Sequence, residues 1–478
     1  YFNCHNIQHM GITRTKIICT IGPATKDLAV LRKLYKAGMN VVRINMSHAD
    51  HVFAKNIIDK VKKINSDKNS NNGPLGVLLD TQGPEIRTGD TELPIDLNTG
   101  DRVTLTVRDE VDVETSSIKI NYKDLISSVN EGSKISVDNG LINFKVITKE
   151  EETLLCEVID GGKLGSKRHV NLPGVRVNLP SLTNKDIDDI EFAIKHDVDF
   201  IALSFVRNPK DVKELQDLLK SKKSKAKIIS KIENQEGLDH IHEISQMSWG
   251  VMVARGDLGI ETSLTDLPNI QRRIMYACAK WGRRSIVATH LLESMISNPT
   301  PTRAEVTDIA NAIYEGADAI MLSGETSVGK YPIECVNFLK SISEGAEKFR
   351  TLGYESKLVA NSDWQHIGIA ARSLAEATGA DGIIAITRSG LTAEVVSNSK
   401  PQLPIYTFTN KKQTYNKLSL IGATRGFYIS SLGTHEKAVA KVVNRLKKEF
   451  PKNQFKKFVL VSGIRSKDYS DAIEIINI

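Results

Sequence analysis

Two short segments place an acidic residue directly after a run of apolar β-forming residues. They are IISKIEN at 228–234 and VMVARGDLG at 251–259. Glu233 and Asp257 lie about one strand-and-helix unit apart, so in a parallel barrel they would face each other across one rim, with Lys231 between them. Mg²⁺ prefers one or two carboxylates plus substrate oxygens, and an adjacent lysine suits a phosphoryl group. The pattern predicts phosphate chemistry at a divalent-cation site.

Eight short apolar runs supply the strands that such a rim requires. Continuous apolar runs are typical of parallel strands that are buried on both faces. Amphipathic helical patterns follow most of them, and eight strand-and-helix units make a (β/α)₈ TIM barrel. The runs span residues 16–22, 40–46, 76–80, 200–205, 227–233, 250–255, 285–290 and 319–323.

The barrel spacing breaks once, between the third run and the fourth. The insert contains short alternating strands punctuated by Asp138-Asn139-Gly140 and Gly161-Gly162, which are signals of hairpin turns. We expect an all-β lid domain that is connected near Pro84 and Pro180 and closes over a substrate. The predicted boundaries are 1–84 for the first part of the barrel with an N-terminal extension, 85–183 for the lid and 184–355 for the second part of the barrel.

A new alternation of helices and strands follows residue 355. A helix around 366–377 and a basic amphipathic helix at 435–449 are interleaved with the apolar runs GIIAIT, PIYTFT, FVLVSG and IEIINI. This pattern predicts a C-terminal α/β open-sheet domain at 356–478, with a regulatory or an oligomerisation role.

The bulk composition narrows the class of protein. No apolar run in the 478 residues approaches the roughly 18 residues that span a bilayer. The net charge of +7 is mild and scattered, so neither a membrane nor a nucleic acid is an expected partner. The five cysteines are widely spaced, without a metal-ligand pattern, and YFNCHNIQHM at the N-terminus lacks the features of a signal or transit peptide. We therefore expect a cytoplasmic protein.

Polar side chains follow nearly every predicted strand. Taken singly, each has an ordinary explanation: a solvated lysine, an acid that caps a helix, a turn, or a structural histidine. Such unrelated explanations do not account for polar residues after five or more of the strands. Its members are Arg43, Asn45, Ser47 and His48 after the second run, Asp80, Thr81, Glu85 and Arg87 after the third, Lys231 and Glu233 after the fifth, Arg255, Gly256 and Asp257 after the sixth, Thr289 and His290 after the seventh, and Ser323 and Glu325 after the eighth.

These residue types suit phosphoryl transfer, in which positioning and charge neutralisation are most of the catalysis. Arg43 and Lys231 would grip the phosphoryl group, while the two acids would hold Mg²⁺. The start of a helix at Gly256 offers backbone N–H groups to a carboxylate. The side chains of the group Asn45, Ser47, Asp80 and Thr81 carry one formal negative charge, which suits K⁺.

Seven motifs in order along the chain resemble those of the pyruvate kinase family. The resemblance runs from about residue 14 to residue 340, is weaker beyond, and is interrupted by the β insert where the family has its lid. The motifs are MNVVRINMSH, LDTQGPEIRTG, GSKRHVNLPG, ISKIEN, MVARGDLGIE, LLESM with PTRAEV, and IMLSGET. The resemblance implies transfer of phosphate from phosphoenolpyruvate to ADP, giving pyruvate and ATP in the last step of glycolysis.

The same resemblance implies cofactors, partners and roles for individual residues. Mg²⁺ or Mn²⁺ and K⁺ would be the cofactors, and the assembly would be a homotetramer. Lys231 and Arg43 would contact the phosphoryl group, Lys231 would also stabilise the transition state, and Thr289 with a water relay near Ser323 and Glu325 would deliver the proton to the enolate. The implied ligands are Glu233 and Asp257 for Mg²⁺, Asn45, Ser47, Asp80 and Thr81 for K⁺, Gly256, Asp257 and Thr289 for the pyruvate end, and Asn45, His48, Arg87, Lys167 and Arg168 for the nucleotide.

Three residues depart from the family pattern. Gln82 stands where relatives have lysine, His169 where the lid motif has glycine, and His290 where glutamine is usual. They put nucleotide affinity and lid closure in doubt. The loop at 387–392 could form an anion-binding nest, but the Gly-rich loop of sugar-bisphosphate-regulated members is altered to VSGIRSKDYSDAIE. We expect weak or absent activation by a sugar bisphosphate, and a role in subunit contacts explains this domain equally well.

Two alternative functions fit parts of the pattern. One is another barrel enzyme that binds phosphoenolpyruvate or an enolate, such as a lyase or a mutase, but such an enzyme needs no second phosphoryl acceptor. The other is a catalytically silent protein that senses metabolites, which predicts the loss of Lys231 or of a metal ligand. Neither loss is found in the sequence.

Overall fold

Short buried strands alternate with amphipathic helices in the first described part of the chain. The computed structural model describes residues 13–67, 72–108, 117–449, 456–463 and 472–478. Every residue of the first strand, KIICT, is buried, as its apolar sequence predicts. The elements are β1 (Lys16–Thr20), α1 (Leu28–Ala37), β2 (Val41–Asn45), α2 (His51–Asn65) and β3 (Gly76–Asp80).

In its described residues, the insert after β3 is all-β apart from one short helix, and it has its own apolar core. Asp138 and Asn139 adopt positive φ angles of 54° and 58°, the left-handed conformation that a tight hairpin turn requires. A six-stranded sheet has the order β11-β7-β8-β9-β5-β6, and β4 pairs with β10. The elements are β4 (Ile95–Leu97), β5 (Arg102–Thr106), β6 (Ser117–Lys119), α3 (Leu125–Ser128), β7 (Lys134–Val137), β8 (Ile142–Lys149), β9 (Thr153–Asp160), β10 (Gly162–Leu164) and β11 (Val170–Asn171).

The chain then returns to the barrel and completes it. Two of the returning helices begin with a capping box, in which the threonine at the N-cap and an acid three residues later satisfy each other's backbone N–H groups: Thr183 for α4 and Thr302 for α10. The elements are α4 (Asn184–Lys195), β12 (Phe200–Leu203), α5 (Pro209–Ser221), β13 (Lys227–Ile232), α6 (Gln235–Asp239), α7 (Ile241–Met247), β14 (Gly250–Ala254), α8 (Arg255–Glu261), α9 (Leu267–Trp281), β15 (Arg284–Ala288), α10 (Arg303–Tyr314), β16 (Ala319–Leu322), α11 (Gly324–Ser327) and α12 (Pro332–Ala346).

The eight barrel strands close in the order β1-β16-β15-β14-β13-β12-β3-β2 and pair in parallel. All eight carboxyl ends therefore meet at one end of the barrel, which we call the rim, and the other end is called the base. The expected TIM barrel with an inserted all-β domain is confirmed.

The last domain is the expected open α/β sheet. Its strands have the order β19-β18-β17-β20-β21, and only β21 is antiparallel to its neighbour. The strand β19 was not predicted, because TRGFY contains a glycine and is only partly apolar. The elements are α13 (Asp363–Ala377), β17 (Gly382–Ile386), α14 (Leu391–Asn398), β18 (Ile405–Thr409), α15 (Lys412–Lys417), β19 (Thr424–Tyr428), α16 (His435–Leu446), β20 (Lys457–Ser462) and β21 (Ala472–Asn477).

No helix within the described residues is both long enough and apolar enough to cross a bilayer.

An acidic side chain is buried at the base of the barrel, just before β12. Asp199 is 3% exposed, and its Oδ2 accepts a hydrogen bond of 3.0 Å from the backbone N–H of Val77. Burial disfavours the charged carboxylate and raises the pKa of Asp199 to about 7. The folded protein therefore retains a proton that an unfolded chain loses near pH about 4.

This pKa shift predicts a pH-dependent stability. The contribution of the protonated Asp199 is complete below about pH 4 and is lost as the pH rises through about 7. In Asp199→Asn no proton is released, so between pH 5 and pH 8 the wild type should lose stability relative to the variant, by roughly 2–4 kcal/mol. Thermal unfolding at four pH values measures this difference. The exposed Asp217→Asn is the control, and parallel curves for wild type and Asp199→Asn would contradict the prediction.

Candidate active site

The rim holds a lysine between two acidic side chains. Lys231, near the end of β13, places its Nζ 2.9 Å from Glu233 Oε1 and 3.2 Å from Asp80 Oδ1. It also donates to Ser204 Oγ at 2.8 Å. Burial lowers the pKa of Lys231, but Asp80 and Glu233 outweigh that effect and hold the pKa above its ordinary value. The ammonium group is therefore a permanent positive charge at the mouth of the barrel.

Arg43 approaches the same cluster from β2. Its Nε and Nη2 lie 2.7 Å and 2.6 Å from Asp80 Oδ2, and its Nη1 donates to Thr20 Oγ1 at 2.9 Å. Arg43 is 8% exposed, so its side chain does not point to solvent. Asp80 is fully buried, and although burial alone raises its pKa, Lys231 and Arg43 bring that pKa below the ordinary value. Two cations are thus held side by side by one carboxylate.

The two predicted Mg²⁺ ligands meet at the rim. Glu233 and Asp257 are close enough for each to affect the pKa of the other, and the backbone N–H of Phe205 donates to Glu233 Oε2 at 2.5 Å. Burial raises the pKa of both carboxyl groups. No cluster of three or more histidine, cysteine or acidic side chains with metal-site geometry occurs in the described residues. A pair of buried carboxylates fits Mg²⁺, which takes its remaining ligands from water and substrate phosphate.

The predicted K⁺ ligands lie on two neighbouring strands. Asn45 ends β2 directly beside Asp80, which ends β3. The Oδ1 of Asn45 accepts from the backbone N–H of Ser47 at 3.2 Å. The carbonyl of Thr81 accepts from Ser204 Oγ at 2.7 Å. Asn45, Asp80 and Thr81 therefore lie at one corner of the rim, next to Arg43 and Lys231. The binding of K⁺ by this group stays a prediction.

Thr289 and Gly256 are in contact across two strand ends. The hydroxyl of Thr289 accepts from the backbone N–H of Gly256 at 2.8 Å and donates to the carbonyl of Ala288 at 2.6 Å. Gly256 and Asp257 lie in the first turn of α8, as expected. Thr289 and His290 have positive φ angles of 67° and 52°, which side chains with a Cβ rarely adopt. This strained turn places the threonine hydroxyl against the first turn of α8.

A buried arginine maintains the strained turn. Arg255 donates from Nη2 to the carbonyl of Thr289 at 2.7 Å, and its Nη1 lies 2.8 Å and 2.7 Å from the two carboxylate oxygens of Asp308 in α10. The sequence pattern predicted Arg255 at the rim but not its pairing with Asp308. Spacing along the chain contains no signal for it, because Asp308 lies on the helix of the next barrel unit, 53 residues further along.

The proposed proton relay has a rigid acid. Glu325 is fully buried, and its carboxylate accepts from the backbone N–H groups of Leu292 at 3.0 Å and Ser323 at 2.7 Å. The Oγ of Ser323 is buried and has no hydrogen-bond partner among the described residues. The geometry gives Glu325 a positioning task, whereas the hydroxyl of Ser323 is free to bond a water.

The expected nucleotide contacts lie on the lid and beside it. Arg87 donates from Nε to Glu85 Oε2 at 2.6 Å and from Nη1 to the carbonyl of Lys167 at 2.8 Å. Lys167 and Arg168 are exposed, and their side chains pair with lid carboxylates at 3.1 Å and 3.3 Å. His48 is exposed at the start of the loop after β2. Arg87 thus lies where the lid joins the barrel, and Lys167, Arg168 and His48 are exposed beside it or on the lid. Their binding of a nucleotide stays a prediction.

The three departures from the family pattern occupy different surroundings. Gln82 donates to Glu85 Oε2 at 3.2 Å, and His290 is exposed. The ring of His169, on the lid, lies 5.9 Å from the ring of Phe205, whose N–H binds the predicted metal ligand Glu233. The effect of His169 on lid closure stays a prediction.

Sequence reasoning missed two residues just after β12. Ser204 bonds Lys231 and Thr81, while Phe205 adopts a positive φ of 53° that turns its N–H toward Glu233. The only available signal was the polar Ser204 at the end of the fourth apolar run, and an aromatic residue in the left-handed region is not readable from sequence.

The possible anion-binding loop of the last domain bonds to itself. The hydroxyl of Thr387 accepts from the N–H of Gly390 at 3.0 Å, and the hydroxyl of Ser389 accepts from the N–H of Leu391 at 3.3 Å. The altered loop at 464–471 lies outside the described residues. The expectation of weak sugar-bisphosphate activation stays a prediction.

Known proteins resemble this chain in fold and in amino-acid sequence. The family model described as "Pyruvate kinase, barrel domain" matches residues 12–336, and "Pyruvate kinase, alpha/beta domain" matches 365–476. A pyruvate kinase of Staphylococcus saprophyticus is 44% identical over 416 residues, which is 85% of this chain and 70% of the relative. Plastidial pyruvate kinase 2 of Arabidopsis thaliana is 39% identical over 440 residues, 91% of this chain and 75% of the relative. The crystal structure of a pyruvate kinase from Cryptosporidium parvum has a TM-score of 0.91 at 32% identity and covers 97% of this chain and 95% of its own.

The charge cluster predicts the result of removing its cation. Lys231→Met leaves Asp80 and Glu233 facing each other without the ammonium group, and breaking a buried ion pair costs about 3–5 kcal/mol. Thermal unfolding at pH 8 should show that loss, and the loss should shrink toward pH 4 as the carboxylates gain protons. Lys213→Met, at an exposed helical pair, is the matched control. Equal unfolding temperatures for both variants would contradict the assigned geometry.

Proposed function

This chain belongs to the pyruvate kinase family, and we propose how the residues at its rim perform the family's reaction. That reaction transfers a phosphoryl group from phosphoenolpyruvate to ADP, giving pyruvate and ATP in the last step of glycolysis. One observation carries the proposal: Lys231 is fixed 2.9 Å from Glu233 and 3.2 Å from Asp80, beside Arg43. Two cations and a pair of carboxylates at one rim suit the transfer of a phosphoryl group from one oxygen to another.

Charge neutralisation is the first task of these residues. Lys231 and Arg43 contact the transferring phosphoryl group, and Asp80 keeps both cations in place through their ion pairs. Glu233 and Asp257 would hold Mg²⁺ or Mn²⁺, which would supply positive charge to neutralise the phosphate oxygens. Asn45, Ser47, Asp80 and Thr81 would hold K⁺ on the same side.

The acceptor and the enolate are positioned by separate groups. The exposed lid residues Lys167 and Arg168, with Arg87, His48 and Asn45 at the barrel, bind the phosphates of ADP. The N–H of Gly256 and the hydroxyl of Thr289 bind the carboxylate end of the substrate in place of their bond to each other. Loss of the phosphoryl group leaves an enolate, and a proton delivered to its carbon through Thr289 and a water at Ser323 yields pyruvate.

The assembly and its setting belong to the same proposal. We infer a homotetramer that works in the cytoplasm, without a nucleic acid or a membrane as partner. We also expect weak or absent activation by a sugar bisphosphate.

Pyruvate formation from phosphoenolpyruvate and ADP tests the proposal most directly. The assay contains Mg²⁺ and is run with K⁺ or with a large organic cation at matched ionic strength. Activity that needs both metal ions supports the two proposed cation sites. Activity without K⁺ overturns the site at Asn45, Ser47, Asp80 and Thr81, and no activity favours a metabolite-binding protein.

Lys231→Met should separate catalysis from binding. Because the ammonium group acts mainly on the transition state, kcat should fall by at least about 1,000-fold while the KM for phosphoenolpyruvate changes by less than about 10-fold. The measurement is made well below the unfolding temperature of the variant. A comparable weakening of kcat and KM would remove Lys231 from the proposed role.

Arg255→Lys tests the support of the Thr289 turn. Lysine cannot span the carboxylate of Asp308 and the carbonyl of Thr289 at once, so kcat should fall about 10- to 100-fold through misplacement of the hydroxyl. Mg²⁺ affinity, measured by calorimetry, should stay unchanged because Glu233 and Asp257 are not touched. Arg32→Lys, on α1, is the control. An unchanged kcat for Arg255→Lys would show that the Thr289 turn does not depend on its hydrogen bonds to Arg255.

A further inference from the structure

A groove of about 580 Å³ lies at the base of the barrel, at the opposite end from the rim. Its walls are the C-terminal end of α5, the starts of β13 and β14, and α14 of the last domain. The basic segment KSKKSKAK, at residues 220–227, forms one edge, and the proposed reaction does not use it. The cations that line the groove are Lys220, Lys223, Lys225, Lys227 and Arg283.

Among the described residues that line the groove, Glu394 is the one carboxylate that accompanies these five cations, and its interactions are already satisfied. Glu394 of α14 accepts from Trp249 Nε1 at 3.0 Å, and it lies 3.6 Å from Lys227 Nζ and 3.8 Å from Arg284 Nη1. Burial raises the pKa of Glu394, but Lys227 and Arg284 outweigh it and hold the pKa below its ordinary value. The carboxylate is therefore charged, and it neutralises positive charge at the inner end of the groove only.

The outer end of the groove has an excess of positive charge. Lys220, Lys223 and Lys225 are exposed, and within the described residues none of them forms an ion pair. Three like charges on one short segment repel one another, and an anion placed among them relieves that repulsion.

Arg283 adds a buried donor that lacks a partner. Its Nη2 donates to the carbonyl of Gln246 at 2.6 Å, whereas its buried Nε has no hydrogen-bond partner within the described residues. An unsatisfied buried donor costs about 1–3 kcal/mol. The guanidinium of Arg283 therefore adds a cation to the groove wall that is held by the backbone of Gln246, whereas the lysines alone are solvated.

The aromatic wall of the groove favours anions over bases. Both Lys227 and Arg284 lie against the ring of Trp249, with Nζ 5.9 Å and Cζ 5.3 Å from its centroid. The ring is 8% exposed, so little of its face is available for stacking. Oxygen-rich groups therefore fit the site better than a nucleobase does.

We propose that this groove is a second anion site, which binds a small ligand carrying two or more phosphate charges. The ligand is held by Lys223, Lys225 and Arg283 at the outer end, and it shares Lys227 with Glu394. Because Glu394 belongs to the C-terminal domain, occupancy changes the charge balance at the joint between that domain and the barrel.

Tripolyphosphate is a suitable probe, and Trp249 is a local reporter of the groove. Binding should change tryptophan fluorescence with a saturable dependence on concentration, and Trp249→Phe should abolish that change. Lys223→Ala with Lys225→Ala should weaken the binding at least 10-fold, and Arg283→Gln should weaken it in the same direction. Lys62→Ala with Lys63→Ala, two exposed lysines of α2, removes equal charge elsewhere and should leave the binding intact.

Several outcomes overturn the proposal. A fluorescence change that persists in Trp249→Phe places the probe elsewhere, including at the rim. Equal weakening of binding in the variant with Lys62→Ala and Lys63→Ala means that binding depends on net charge and not on the groove. Absence of saturable binding removes the site. Tighter competition by a single-stranded oligonucleotide than by tripolyphosphate would replace a small ligand with a nucleic acid. Pyruvate formation without the probe should be equal in wild type and in the Lys223→Ala, Lys225→Ala variant, since neither lysine lies at the rim.

Discussion

A buried positive charge at the barrel mouth is the constraint around which the rest of the molecule is arranged. Lys231 cannot remain an ammonium group there unless anions surround it, and Asp80 and Glu233 supply them from neighbouring positions on the strand ends. Those same acids then need partners, which are Arg43 for Asp80 and the N–H of Phe205 for Glu233. Each charged side chain thus needs a partner from another strand end. Parallel strands that end at the same rim provide these partners.

The barrel satisfies that demand because its closed sheet leaves the carboxyl ends facing one space. The residues that we propose contact the substrate and the residues that position them come from different elements of the barrel. Strand ends provide Lys231 and Asp80, while a helix behind the rim provides Asp308, which reaches the site only through Arg255. Support of this kind turns a strained backbone at Thr289 into a stable feature.

Much of this arrangement was readable from sequence. Eight apolar runs predicted the barrel, and acids placed directly after them predicted the rim cluster, because strand period and polarity are local properties. The contacts through Ser204, Phe205 and Asp308 were not readable. They depend on a left-handed backbone and on distances between segments far apart in the chain, and neither has a local signature. Longer lid strands such as β8 and β9 were predicted, but β4, β6, β10 and β11 were not, since two or three residues are too few to show alternation.

The lid has its own apolar core, and this bears on how the chain acquires its structure. The strands β3 and β12 are neighbours in the barrel, yet the whole insert separates them in sequence. Closing so long a loop costs entropy, which rises with the logarithm of its length. A lid that collapses first joins its own ends, since the N–H of Val170 bonds the carbonyl of Ile86 at 2.8 Å. Early folding of the insert would therefore shorten the effective loop and let the barrel close as though the chain were nearly continuous.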